Sequence, residues 1–329
     1  MYDEDGRGSL SPASRTDQRH SGEEHLPLSI ASFPLPSSTE NLIVEVLTMK
    51  GETIQTLSVP GTMLGISFAE AVLQQHPPAR STCVRIAVGD VMLQRSKSLA
   101  EQGIETGSKV TYVVCEVSEM DQHIVRKKVE QGLDVTDDDM DIWDTIEHLT
   151  LSAWLTDVAL PRKLLCLIFD RDFNQSIEGV VLPSTLQSLT FGDSFNQSMK
   201  MVTLPSGLKN LAFGRDFDQS IENVALPQSL ESLTFGYHFN YDCRFNQSMK
   251  NVVLPSSLER LTFGHDFNQS LIDLALPSGL QSLTLGFCFK RGLEGVVLPS
   301  GLQNLTFCRW LDESIENLVL PEGCKLRTW

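Results

Sequence analysis

Seven cysteines, seven histidines and 42 acidic side chains are the groups of this 329-residue chain that could ligate a metal or attack an electrophile. The cysteines are Cys83, Cys115, Cys166, Cys243, Cys288, Cys308 and Cys324. They include no C-x-x-C pair, so neither a zinc motif nor a redox motif is expected, and scattered thiols fit a reducing compartment. Six aspartates fall between Asp134 and Asp144. A calcium loop starting at Asp137 would need Gly at its sixth position and Glu at its twelfth, but Ile142 and His148 stand there. The run reads instead as a solvated acidic linker or capping surface. His238 and His265 fall one slot apart in successive repeats, yet the nearest cysteine, Cys243, lies in an insertion, so no metal site is expected. No nucleophile elbow, phosphate loop or paired catalytic carboxylate occurs in a suitable context. The chain is therefore read as a non-enzyme, with no catalytic residue, cofactor or metal.

What remains is recognition chemistry. Residues 236–248 read GYHFNYDCRFNQS and carry the lone six-residue insertion in an otherwise regular array. Insertions of this kind bulge from one face, often the binding face. Tyr, Trp and Arg dominate interface hot spots. The candidate partner-binding residues are Tyr237, His238, Tyr241, Arg244, His265, Phe287 and Trp310, all on the edge that follows each strand. The plainer alternative is that these rings pack on one another. Outward threonines recur at Thr190, Thr234, Thr262, Thr284 and Thr306. They suit a glycan- or ice-binding array, or simply an exposed parallel strand that favours β-branched residues.

The elements that must position these residues come from an internal repeat. Leu-Pro pairs place prolines at Pro161, Pro183, Pro205, Pro227, Pro255, Pro277, Pro299 and Pro321, steps of 22 with a single step of 28. A fixed period of this length signals a solenoid. Each unit holds L-x-x-L-x-F, as at Leu186, Leu189 and Phe191. The alternation predicts a short strand with Leu189 and Phe191 inward and Ser188 and Thr190 outward. A 22-residue unit cannot bury its own apolar face, so copies stack and their strands pair in parallel. Gly192, Gly214, Gly236, Gly264 and Gly286 end the strands, where a sharp turn or a positive φ would call for glycine. Asn196 in the following F-N-Q-S is read as an inward, buried ladder residue, its amide pairing backbone groups of neighbouring coils. Four of the five N-x-S/T sequons are by-products of that turn, so glycosylation is not expected. Trp154 is expected to cap the first coil, and Trp329 takes the Phe slot of an incomplete last one.

FDRDFNQSIEGVVLP, FGDSFNQSMKMVTLP and FGHDFNQSLIDLALP resemble the FNIP repeat, a variant of the leucine-rich repeat, and the likeness runs over 146–329. The resemblance implies a curved solenoid used for protein contacts, often joined to a signalling or ubiquitin-related module. The sequence departs from it in having Ser for the motif's Pro. It departs again at Asp218, Lys290 and Asp312, which stand in the Asn slot, so the ladder is expected to be intact at Asn174, Asn196, Asn246 and Asn268 and to degrade toward the C-terminus.

Residues 41–117 alternate differently. Leu42–Leu47 and Ile54–Val59 read as a hairpin, Ser67–His76 as a helix, and Cys83–Val88, Val91–Leu93 and Lys109–Cys115 as strands. VRIAVGDVMLQRSKSLAEQGIETGSKVTYVV resembles the ubiquitin-like β-grasp, with Leu99, Gly103, Ile104 and Val110 where that family has its core. The resemblance implies an α+β docking module with a link to ubiquitin or proteasome machinery. No Gly-Gly follows Val117, which speaks against conjugation.

The organisation expected is therefore a disordered tail at 1–40, a ubiquitin-like domain at 41–117, an acidic linker with a helix at 118–145 and the leucine-rich-repeat-like parallel β-solenoid at 146–329. The formal charge is −16, and residues 119–160 carry half of it, with 11 acidic against 3 basic residues. That balance excludes a nucleic-acid footprint. No run reaches the length of a membrane span, and the acidic start is no signal peptide, so a cytoplasmic protein is expected. Two binding folds without a catalytic constellation point to an adaptor, the solenoid holding a protein client and the front domain meeting the ubiquitin system. The alternative is a purely structural repeat protein.

Overall fold

The computed structural model describes residues 41–75, 82–89, 91–153, 158–236, 243–308 and 319–328. Strands β1 (Asn41–Leu47), β2 (Thr53–Pro60), β3 (Thr82–Val88), β4 (Val91–Met92) and β5 (Lys109–Glu116) form one mixed sheet. Helix α1 (Gly65–Gln75) lies between β2 and β3 in sequence. The sheet order is β2-β1-β5-β3-β4, with β1 parallel to β5 and all other pairs antiparallel. This is the β-grasp arrangement. Alternation explains the core. Val44 and Val46 of β1, Val84 and Ile86 of β3 and Val110 of β5 face α1, whose Phe68 and Val72 are fully buried, with Leu99 and Ile104 closing the floor.

Two capped helices follow, α2 (Glu119–Glu130) and α3 (Asp137–Trp143). Each begins with a reciprocal cap. The Ser118 hydroxyl accepts from the Asp121 N–H and the Asp121 carboxylate accepts from the Ser118 N–H. Thr136 and Asp139 repeat the arrangement, satisfying helix donors that would otherwise be orphaned. The segment read as an acidic linker is thus built differently. Val125, Val129 and Trp143 bury themselves in the core of the solenoid, and the Trp143 indole donates to Ala159 O at 2.9 Å. The physical reason is the apolar end of the first coil, which has no preceding coil to cover it.

From β6 onward one strand per coil joins a nine-stranded parallel sheet. The strands are β6 (His148–Leu151), β7 (Cys166–Phe169), β8 (Ser188–Thr190), β9 (Asn210–Phe213), β10 (Ser232–Phe235), β11 (Arg260–Thr262), β12 (Ser282–Thr284), β13 (Asn304–Phe307) and β14 (Lys325–Thr328). The register holds throughout, Leu149 beside Leu167, Leu189, Leu211, Leu233, Leu261, Leu283 and Leu305. From β8 to β13 the inward Leu and Phe are buried and the outward Ser and Thr are half-buried. The last strand, β14, is exposed at every residue. Trp154 and Trp329 lie outside the described residues.

Phenylalanine makes a double column behind the sheet, unbroken from Phe169 and Phe173 to Phe263 and Phe267, after which Leu285 takes the strand slot. Within a coil the strand Phe and the turn Phe stack closely, as in Phe191 on Phe195 at 4.0 Å and Phe213 on Phe217 at 3.9 Å. Between coils the strand rings are 5.2 Å apart for Phe169–Phe191, and the turn rings are 6.2 Å apart for Phe173–Phe195. The strand rings thus lie closer between coils than the turn rings do.

Two expectations are corrected at the turn. First, the slot asparagines are not buried: Asn174 and Asn246 are exposed, and Asn196 and Asn268 are half-buried. The ladder nevertheless exists, and it runs through the side-chain oxygen. Asn174 Oδ1 accepts from the Asn196 N–H at 2.9 Å and from Gln197 Nε2 at 3.0 Å. Second, Asp218 does not break it, because only an acceptor oxygen is used. Its Oδ1 receives the Asn246 N–H and Gln247 Nε2, both at 2.9 Å. Lys290 supplies the N–H that ends the run on Asn268. The argument that burial protects these sequons from glycosylation therefore falls. Asn196→Asp is expected to leave the urea midpoint unchanged, whereas Asn196→Ala should cost about 0.5–1.5 kcal/mol, the worth of an acceptor at a half-exposed site. Equal losses in both variants would refute the oxygen-only ladder.

Candidate functional site

The two residues after each strand-ending glycine form a continuous edge. The backbone ties them together: the N–H of the second position donates to the carbonyl of the first position one coil earlier. The described steps are Ser194 to Arg171, Asp216 to Asp193, Arg244 to Arg215, Asp266 to Cys243 and Cys288 to His265, all between 2.8 and 3.0 Å. Such a ladder fixes the spacing at which side chains are presented.

Glycine is needed here for close approach. Only Gly236 among the strand-ending glycines takes a positive φ, 79°. At Gly214 an added Cβ would fall on the carbonyl of Gly192 and 2.8 Å from Asp193 Cα. Of the sharp turn or positive φ expected for the series, a positive φ is found at Gly236, and at Gly214 the requirement is steric.

Cys243 also proves different from its sequence reading. It is buried, not part of a free loop, and its side chain fills the space above Gly236 and Gly264. Burial pushes its thiol pKa up. The insertion therefore ends on a buried anchor. Residues 237–242 lie outside the described part, and with them Tyr237, His238 and Tyr241; Trp310 does too.

Of the seven candidate docking residues, Arg244, His265 and Phe287 are described, and they share this edge. Arg244 is exposed and pairs with Asp216 at 3.4 Å. The His265 and Phe287 rings stack with centroids 5.2 Å apart, leaving Phe287 45% exposed, whereas the other described phenylalanines of the repeats are buried.

The edge also gathers a group that sequence reasoning passed over. His265 Nδ1 lies 2.6 Å from Asp266 Oδ1 and 3.7 Å from Cys288 Sγ, and the sulfur is 3.9 Å from the same carboxylate oxygen. A Cys-His-Asp relay would use opposite nitrogens of the ring, one for the thiol and one for the carboxylate. Here both approach Nδ1, so the arrangement is not that relay. The sequence reading paired His265 with the preceding coil. The relevant partner, Cys288, sits 23 positions ahead, one coil on and one place along.

A second polar cluster joins the front sheet to the first coils. It lines a cavity of about 470 Å³. Arg85 pairs with Asp138 and Asp141 at 3.0 and 3.2 Å, Arg95 with Asp141 at 2.7 Å and with Asp144, and Arg162 with Asp144 at 3.5 Å. Lys163 Nζ donates to Thr82 O at 3.2 Å. Burial pushes the Asp141 and Asp144 carboxyls upward against the pull of Arg95. The acidic run thus works as a joint, and its arginines are already paired, so this cavity is no ready anion site. Nearby, Cys83 and Cys115 face each other across β3 and β5 as free thiols, and burial followed by the Cys115 neighbour pushes Cys83 up to about 11. A thiol held protonated, as Cys83 is, makes a poor nucleophile. Among the described residues no helix is long and apolar enough to cross a membrane.

Comparison with known proteins agrees with the coil geometry. Residues 155–194, 195–238 and 245–288 match the FNIP Repeat family, so this part of the chain is built of FNIP repeats. The gap between the last two segments falls at the insertion. No curated protein matches the chain. Among solved structures, CroV588, described as a novel circular LRR protein structure, is 44% identical over 51% of this chain and 24% of that one, with a TM-score of 0.46. The chain thus spans about a quarter of that protein's length.

Proposed function

We propose that this protein is a non-catalytic interaction scaffold that docks a protein client on the edge carrying Arg244, His265 and Phe287. One observation supports this above others. Phe287 stays 45% exposed, stacked on His265 two coils beyond the one that carries the lone insertion, and the next residue's N–H donates to His265 O. Exposed aromatic and Arg side chains presented along one edge are residue types that interfaces favour. Tyr237, His238, Tyr241 and Trp310 belong to the same proposal by their place in the repeat.

The β-grasp order supports a second half to this reading, in which residues 41–117 act as a ubiquitin-like docking module for ubiquitin-system proteins. Arg85 on β3 is engaged by α3, so a partner would meet the sheet at β1, where Ile43 is 49% exposed. The expected site of action is the cytoplasm.

Capture from native lysate with the whole chain tests both halves. The double variant Arg244→Glu/Phe287→Ala should lose a client that the wild type retains, and Ile43→Glu should lose ubiquitin-system proteins while keeping that client. If the double variant captures the same proteins as wild type, the edge is not the docking surface and the structural reading replaces it. Wild type without ubiquitin-system proteins would remove the second half.

A further inference from the structure

We propose that His265, Asp266 and Cys288 form a binding site for a divalent transition-metal ion of the zinc class. The three donor atoms are Nδ1, Oδ1 and Sγ, and all lie within 4.8 Å of one another. They come from three places on two successive coils, and the distances between them decide the matter.

A tetrahedral zinc-class ion binds nitrogen and oxygen at about 2.0 Å and thiolate at about 2.3 Å, which separates its ligand atoms by about 3.3–3.6 Å. The two distances to sulfur, 3.7 and 3.9 Å, are already within a few tenths of that spacing. Only the His265–Asp266 pair, at 2.6 Å, must open. The Asp266 side chain is 40% exposed, so its carboxylate can swing out without disturbing the core.

The protonation chemistry points the same way. The Cys288 thiol donates toward the Asp266 carboxylate, which Nδ1 also faces, so the three groups converge on one point. A cation there would take the lone pairs of all three at once. Thiolate plus carboxylate offset the two positive charges, and neutral imidazole completes the set. Sulfur and imidazole together favour zinc, cobalt or copper over magnesium or calcium. Three protein ligands leave a fourth position toward solvent, the pattern of open rather than closed sites.

The site is also preorganised. The Asp266 N–H donates to Cys243 O at 3.0 Å and the Cys288 N–H donates to His265 O at 2.8 Å, so the ladder holds the ligand backbones in place. The stack of Phe287 on His265 sets the ring plane. Burial, reinforced by Asp266, raises the Cys288 thiol pKa. Metal binding must therefore expel a proton, and affinity should rise with pH. Bound metal would bridge consecutive coils beside the insertion and stiffen that edge. This inference stands apart from the docking reading, because its readout is metal coordination.

Cobalt(II) titration of the reduced, chelator-treated full chain tests it. The expected result is a near-ultraviolet thiolate-to-cobalt charge-transfer band that saturates at a single equivalent and is displaced by zinc. Cys288→Ser should abolish the band, His265→Gln should abolish or strongly shift it, and Cys166→Ser, far along the stack, should keep it. Asp266→Asn should weaken binding at least tenfold. Circular dichroism on each variant checks that the coils remain folded, and the His265 and Asp266 variants carry the test if Cys288→Ser does not fold. No band in the wild type, or a band that survives in Cys288→Ser, overturns the proposal.

Discussion

Gly214→Ala is expected to cost more than about 4 kcal/mol. The reason is the neighbour it meets. An added Cβ would fall on the Gly192 carbonyl and 2.8 Å from Asp193 Cα, and both belong to the backbone of the preceding coil. No side chain can swing away, so the coils themselves would have to part and forfeit ring stacking at Phe213 and Phe217. Gly207→Ala in the same coil is the control. Its Cβ meets only Ser184 O at 3.3 Å, and a loss within about 1 kcal/mol is expected there. Urea unfolding of the full chain, compared by midpoint, separates the two. Similar midpoints would show that close coil approach does not limit stability.

Trp143→Ala comes next, with an expected loss of about 3–5 kcal/mol. The indole is fully buried over the first coil and its N–H satisfies Ala159 O. In a solenoid each coil touches only its neighbours, so damage should be local. Hydrogen exchange should show β6 and β7 opening first, with β11 and β12 little changed. Trp143→Phe should keep most of the packing and lose only the hydrogen bond, about 1 kcal/mol. Uniform loss of protection along the stack would contradict the capping role.

These two positions also show how far the sequence carries. The period and the L-x-x-L-x-F alternation specify strand, register and inward face, because burial at every second residue leaves no other register open. That Arg244, His265 and Phe287 share one edge is legible for the same reason, since position within a coil follows from the distance to the glycine. The purpose of the glycine was not. Close approach to a carbonyl one coil away and a positive φ leave the same residue type in the sequence. Trp143 was hidden for a different reason: an acidic run next to a helix looks like a linker until the uncovered end of the first coil is seen to need a lid. Asp218 was misread because a lost amide N–H looks like a lost ladder residue, although only the oxygen is used. His265 and Cys288 were missed because they meet diagonally, across coils, a pairing that slot-by-slot alignment does not reveal.

The central claim is that this edge is a docking surface, and site-specific crosslinking in cells tests it most directly. A photoreactive residue is placed at Phe287, and, as a comparison, at Val181, which is 86% exposed on another side of the coil. The account expects a discrete crosslinked protein from position 287 that position 181 does not give. Equal capture at both positions, or no intermolecular product at 287, would contradict it.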